Sequence, residues 1–433
     1  RCRLQVGPSE RPLRLADAAP LSVMTMQRFR APFLFDGTRV RQDVAVVLDG
    51  EGRVVFVGDD SETFESAREI VLPPGALVLP GLVNAHTHVE LAAQAGTLPR
   101  ALQTTREAAD ESAFLRWAGA LVAARPSFDA DARAAGRTAA AEALARFGTV
   151  LVGDVTNEAS TVPCLQAAGI EGCIFHEVFG WNATRLDASL AAIAAEMLER
   201  KAEYAAAGFR YAPVPHTPYT TAPEAIARLR ALAGASIGSI HFLEHAAERR
   251  ALEDGEGAAA AWLGSLGLTN LPWPRQPAVA YAAALGLLDG KTLLVHLTVA
   301  RGDELCRIAA AGNPVVLCPR SNLFILGFLP DLPAILAAGV PLALGTDSWA
   351  SNDDLDVLGE VAALAAAYPA VPLETLYTAA TWGGARALGF ADRSHFAVGA
   401  RPRPFAVPLP PTTDPLRTLL AHRNLPRSPL GSS

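Results

Sequence analysis

The 433-residue chain is half apolar and 19% charged, with a net charge of −7 and a positive mean hydropathy. This is enough apolar chain for a large core, in two domains or one big α/β barrel with an attachment, and with no long basic run it sets nucleic acid aside as a primary partner. Five cysteines (Cys2, Cys164, Cys173, Cys306, Cys318) show no C-x-x-C spacing, so neither a disulfide framework nor a structural zinc site is expected, a reducing cytoplasm is the default, and no apolar run is long enough to span a bilayer.

Residues 1–25 hold Arg and Pro but no continuous apolar stretch, unlike a secretory signal, and are expected as a poorly ordered tail. From Met26 to Val71 the pattern alternates as in short strands. Asp43–Leu48 and Arg53–Gly58 flank Asp49-Gly50-Glu51-Gly52, a hairpin signal. Residues 26–75 therefore read as a small β domain, completed by 391–409, with Pro73-Pro74-Gly75 as linker. From 76 to 390 apolar strands alternate with Ala-rich helices. Eight strand candidates are Ala76–Val83, Thr149–Val155, Ile170–Val178, Arg210–Pro215, Ile237–Phe242, Thr292–Leu297, Pro314–Cys318 and Val340–Gly345. Helices are expected over Asp129–Phe147, Leu186–Ala207 and Ala222–Ala233, the last opened by a capping box from Thr221 to Glu224. The fold class is α/β, a (β/α)8 TIM-like barrel with a small β-sandwich domain built mainly from the N-terminal segment. A doubly wound open sheet is the second choice, although no G-x-G-x-x-G follows the first strand. The Pro-rich residues 410–433 are expected as a second tail.

Polar residues gather at the C-terminal ends of these strands: His86 and His88, Asp154, Glu177, His216, His241, His296, Arg320-Ser321-Asn322 and Asp347. Five of the nine histidines are in this set, at the face where such barrels build active sites. Side chains at i and i+2 of an extended segment point the same way, so His86 and His88 can reach one ion together. Three histidines with one carboxylate suit a mononuclear zinc or iron centre with a position open for water. Glu244, three residues after His241, is placed to carry protons between water and leaving group. Blander readings apply elsewhere. Asp154 and Glu177 are as readily rim carboxylates without chemistry; His176 is a satisfied core histidine; His245 is a bystander; Glu248 is a helix-surface charge; His395 and His422 are surface residues.

Six segments carry a family resemblance. They are Pro80-Gly81-Leu82-Val83-Asn84-Ala85-His86-Thr87-His88, Pro215-His216-Thr217-Pro218-Tyr219-Thr220, His241-x-x-Glu244, Val295-His296, Cys318-Pro319-Arg320-Ser321-Asn322 and Gly345-Thr346-Asp347-Ser348-Trp349-Ala350-Ser351-Asn352. In order and spacing they resemble the amidohydrolase superfamily, in its deaminase and chlorohydrolase branch. The resemblance implies one divalent metal, zinc before iron, held by His86, His88, His241 and Asp347. It implies catalytic roles for Glu244, for His296 near the attacking water and for Asp347 beside it, with His216 on the substrate. His216 stands where two-metal members carry a carboxylated lysine, which favours a single ion. The segment Ala397–Pro402 matches the family's return to the β domain only loosely.

Within the branch, His88-Val89-Glu90-Leu91, Cys318–Asn322 and Phe114-Leu115-Arg116-Trp117 look most similar to the aminofutalosine deaminases of the alternative menaquinone pathway. That likeness implies hydrolysis at C6 of a 6-aminopurine nucleoside with loss of ammonia, a small-molecule partner only, and an enzyme compatible with a homodimer. Aminofutalosine carries a benzoate, so Arg320 and Arg116 are candidate carboxylate partners, with Glu90 a further substrate contact. Other aminopurine, aminopyrimidine or methylthioadenosine-type deaminases and s-triazine chlorohydrolases are alternative activities. A barrel without catalysis, used as a binding subunit, is the alternative of a different class.

Overall fold

The computed structural model describes residues 26–59, 64, 66–158, 160–181 and 183–431; the tail expected over residues 1–25 lies outside them. Two compact units result. Of the described residues, one takes those up to Pro80 with Asp392–Leu419 and those from Asn424, the other Gly81–Ala391 with Leu420–Arg423. Strands β1 (Gln27–Phe35), β2 (Val40–Leu48), β3 (Val54–Gly58), β4 (Arg68–Glu69) and β5 (Ala76–Leu79) precede β6 (Leu82–Thr87), β7 (Thr149–Thr156), β8 (Glu171–Val178) and β9 (Phe209–Pro215). Then come β10 (Gly238–Phe242), β11 (Thr292–His296), β12 (Val315–Leu317), β13 (Leu342–Leu344), β14 (Phe405–Pro408) and β15 (Ser428–Pro429).

The first unit is one hydrogen-bonded sheet in the order β15-β14-β5-β1-β2-β3, with β4 also beside β1. The β2–β3 turn forms as its residues dictate: Asp49 Oδ1 accepts from the backbone of Glu51 and Arg53, and Gly52 takes the left-handed φ of +74° that an L side chain resists. Phe29, Leu34, Val44, Val46 and Val78 pack with Phe396, Ala406 and Leu430 in one apolar cluster. The last residues thus belong to this unit's core. Residues 410–431, expected as a tail, carry the helix Pro415–Ala421 and strand β15, which pairs antiparallel with β14. Proline is tolerated there because edge strands need few ladder donors.

The run Ala76–Val83, expected as one strand, is two. Ala76–Leu79 pairs with β1 and β14, and Leu82–Thr87 pairs with β7. Pro80, without an N–H to donate, breaks the ladder between them.

The second unit holds two parallel four-stranded sheets, β6-β7-β8-β9 and β10-β11-β12-β13. Hydrogen bonds also cross both seams: His241 N to His216 O at 3.0 Å, and Asp347 N to His86 O at 3.1 Å. Val83, Ala85, Leu151, Val155, Phe175, Val214, Leu293, Val295 and Val316 form the shared core. Register puts Thr87 opposite Asp154, Val178 opposite Pro215 and Phe242 opposite His296, so the polar strand ends lie level. Helices join the strands. Ala130–Arg146 is capped by Asp129, whose side chain accepts from Ala132 N, and Ala183–Ala206 follows β8. The capping box expected at Thr221 is not formed: the helix Pro223–Ala233 starts from Ala222 without a side-chain cap, because the Thr221 hydroxyl instead donates to Val178 O. Among the described residues no helix is long and apolar enough to cross a membrane.

Candidate active site

His86 and His88 close β6, His241 lies in β10, and Asp347 follows β13. The four converge. The ligand atoms of His86, His88 and His241 lie within 4.8 Å of one another, and Asp347 Oδ1 is 3.6 Å from Nε2 of both His86 and His88. His88 Nε2 faces His241 Nε2 at 3.2 Å, and both ring nitrogens of His86 are buried without a partner. An unpartnered buried polar atom costs about 1–3 kcal/mol, and imidazole lone pairs aimed at one another repel. A divalent cation among them removes both costs, so the donor set fits a metal. Burial favours the neutral form of two of these histidines: it lowers His86 below the ordinary histidine value and His88 to about 4. His241 is pulled the other way, since Glu177 beside it outweighs its burial and raises it to about 9.

The backbone at these strand ends is strained. Leu243, His296, Leu297 and Asp347 have φ of +50°, +79°, +48° and +56°, a region bulky L residues rarely occupy and functional sites often do. Gly345 permits the approach of the Asp347 segment, because a Cβ there would meet His86 O at 2.6 Å. Asp347 is aimed by two hydroxyls whose role sequence reasoning missed: Ser321 Oγ at 2.5 Å and Ser351 Oγ at 2.8 Å both donate to Oδ2, leaving Oδ1 toward the histidines. Both serines lie in the quoted motifs, which was the available signal.

Glu244 is buried, with Oε1 3.6 Å from His296 Nε2. Asn322 Nδ2 sits 3.2 Å from His296 Nδ1; donating there, it makes Nε2 the protonated nitrogen facing Glu244. Burial, with the Asp347 and Glu248 carboxylates adding to it, pushes the Glu244 carboxyl well above the usual range. Glu248, expected on a helix surface, is fully buried. Its two oxygens accept from Leu243 N and Glu244 N, each at 2.9 Å, pinning the strained turn that carries Glu244. His245, expected as a bystander, caps the same helix through Nδ1 to Glu248 N.

His216 Nδ1 bonds Thr220 Oγ1 at 2.7 Å, and burial lowers this histidine to about 3. Glu177 lies 3.2 Å from His241 Nδ1; against the effect of burial, His216 and His241 hold it well below the usual carboxylate range. Glu90 accepts from Thr156 Oγ1 and Asn157 N. Asp154 is a brace rather than a rim group: it accepts from Val89 N at 3.0 Å and Thr161 Oγ1 at 2.5 Å. His176 is the core histidine expected, bonded to Tyr211 Oη at 2.5 Å.

A cavity of about 550 Å³ opens above this floor, lined among others by His88, Glu90, Glu177, His216, His241, Glu244, His296 and Asp347. The two arginines expected in it are not among the residues that line it. Arg320 is turned under the loop by Glu360 and Asp354, at 2.8 and 2.6 Å, because a buried guanidinium needs carboxylate partners. Arg116 lies on the exposed side of its helix, paired with Asp110.

The amidohydrolase family model matches residues 77–416. Aminodeoxyfutalosine deaminase of Deinococcus radiodurans is 32% identical over 73% of this chain and 74% of its own length. The 5-methylthioadenosine/S-adenosylhomocysteine deaminase of Halobacterium salinarum is 31% identical over 83% of this chain and 78% of its own. The fold is shared with the crystal structure of Helicobacter pylori aminofutalosine deaminase in complex with methylthio-coformycin, at a TM-score of 0.79 and 22% identity over 92% of this chain and 96% of that one. This chain belongs to the amidohydrolase family. It is a hydrolase acting on carbon–nitrogen bonds other than peptide bonds.

Proposed function

We propose that this protein is a metal-dependent hydrolytic deaminase of a 6-aminopurine nucleoside, and that the nucleoside is aminofutalosine. The observation that carries the reading is the convergence of His86, His88, His241 and Asp347 on one point beside Glu244 and His296, at the floor of a 550 Å³ cavity. The 32% identity to the D. radiodurans aminodeoxyfutalosine deaminase supports the substrate. In this reading the two parallel sheets close into one (β/α)8 barrel, supported by the seam hydrogen bonds, and the other unit is its small β-sandwich.

His86, His88, His241 and Asp347 would hold the ion, zinc before iron. When bound, such an ion supplies a Lewis acid that brings the pKa of water toward about 7. Glu244 takes the proton of the water that attacks C6 and returns it to the departing amine, which leaves as ammonia. His296, with Nε2–H toward Glu244, hydrogen-bonds the attacking water. Asp347, held by two serine hydroxyls, accepts from that water. His216, its Nδ1 occupied by Thr220, offers Nε2 to the purine, and Glu90 contacts the substrate from the cavity wall.

Ammonia release from metal-replete protein, measured with aminofutalosine, 5-methylthioadenosine, adenosine and an s-triazine, tests the reading. Aminofutalosine is expected to show the highest kcat/KM. Activity confined to free bases or triazines would overturn it. A preference for 5-methylthioadenosine would establish the second reading, which the H. salinarum relative favours.

A further inference from the structure

The helix Ala113–Ala124 lays a single face along the cavity. Phe114, Trp117, Ala118, Leu121 and Val122 all line it, and so does Arg125, the next residue on that face; their spacing of three and four is one stripe of an α-helix. At one end of the stripe Phe114 stacks on His245, the neighbour of Glu244, with ring centroids 4.2 Å apart. Arg125 lies about 16 Å further along the axis, eleven residues at 1.5 Å each. The walls around it are apolar and open. Val122, Phe179 and Leu266, from three separate segments, line the cavity yet are 66%, 51% and 60% exposed. Large apolar side chains left wet at a cavity mouth mark where a ligand's apolar part rests.

Arg125 is the one arginine or lysine among the described residues lining the cavity. Its partner is Glu158 at 3.4 Å, the two side chains being 43% and 49% exposed. An ion pair that wet is weak and exchanges readily for a ligand. Arg116 and Arg320, by contrast, are outside the cavity lining. We propose that Arg125 is a specificity residue: it binds a carboxylate at the far end of the substrate's 5′ arm, while the Trp117–Val122 face and Leu266 cover the apolar or aromatic body of that arm. The proposal rests on the nucleoside-deaminase reading and narrows its substrate to one with an apolar arm ending in an anion. Arginine fits this task because its planar fork bonds both carboxylate oxygens at once.

The experiment compares aminofutalosine with its benzoate methyl ester, which has the same shape without the charge, on wild type, R125M and E158Q. Wild type is expected to prefer the acid, and R125M to reduce the acid-to-ester ratio of kcat/KM by roughly tenfold or more, through KM rather than kcat. E158Q removes the competing carboxylate and is expected to lower KM for the acid by roughly two- to fivefold, a gain that no merely structural role for the pair would produce. An unchanged ratio in R125M, with KM for the acid unmoved in E158Q, overturns the role of Arg125 and leaves the deaminase reading standing. Failure of wild type to deaminate either compound, or adenosine, overturns both.

Discussion

Glu244 depends on a neighbour for its position as much as on its own chemistry. The turn that carries it passes through Leu243 at a φ of +50°, a conformation that costs on the order of 1–3 kcal/mol for such a residue. The two oxygens of Glu248 hold that turn by accepting from Leu243 N and Glu244 N. Two substitutions separate chemistry from placement. Glu244→Gln keeps the shape but cannot carry a proton, so kcat should fall about 10²–10⁴-fold with the metal retained on elemental analysis; near-full kcat would reduce Glu244 to a loop charge. Glu248→Gln keeps one acceptor and points an amide donor at the other N–H, a loss of about 1–3 kcal/mol. We expect kcat to drop roughly tenfold while KM moves little. A variant that only lowered thermal stability, with kcat intact, would make Glu248 a structural brace alone.

At the scale of elements, Asp154 ties the end of β7 to the segment after His88 through Val89 N, and to Thr161. Burial raises this carboxyl from 3.8 to about 7. A raised folded-state value means that its contribution to stability is full below about pH 4 and is lost as pH climbs through 7. Asp154→Asn keeps the bond from Val89 N, reverses the one with Thr161 so that its hydroxyl accepts from the amide, and removes the titration. Urea midpoints should therefore shift in favour of the variant between pH 4 and pH 8; a constant difference between the two proteins would show that Asp154 does not titrate there. Elements of this kind were legible in part. Hydrophobic period and caps, which are local, placed Thr149–Thr156, Phe209–Pro215 and Ala130–Arg146 to within a residue or so. What depended on distant pairing was not legible. The break at Pro80 lies inside a run buried on both sides, and β15, within the residues expected as a tail, is a strand because Phe405 and Ala406 lie beside it. The histidines stood out because few other roles collect them at strand ends. The roles of Ser321, Ser351, Glu248 and Arg125 did not, because what each does is decided by the atom it faces rather than by its place in the chain.

For the molecule as a whole, the number of ions is the sharpest question. Among the described residues two groups of side chains have metal-like spacing: His86, His88 and His241, and also Glu177, His216 and His241. They share His241, whose Nε2 faces His88 at 3.2 Å and whose Nδ1 has both the His216 carbonyl and Glu177 at 3.2 Å. One neutral imidazole has a single available ring-nitrogen lone pair, and serving two ions would require loss of its remaining N–H proton. A carboxylate on the other ring nitrogen is the usual means of orienting a metal-bound histidine and raising its basicity, which is the part Glu177 is placed to take. Elemental analysis is therefore expected to find one divalent ion per chain. Stripping it with a chelator should abolish activity and lower Tm, since a ligand bound only by the folded state stabilises it, and zinc should restore both. Asp347→Asn should weaken retention of the ion by removing the only anion among the four. Glu177→Gln should leave the count at one and weaken affinity by about 10–100-fold. Two ions in the wild type, falling to one in Glu177→Gln, would show instead that the second group is a metal site in its own right.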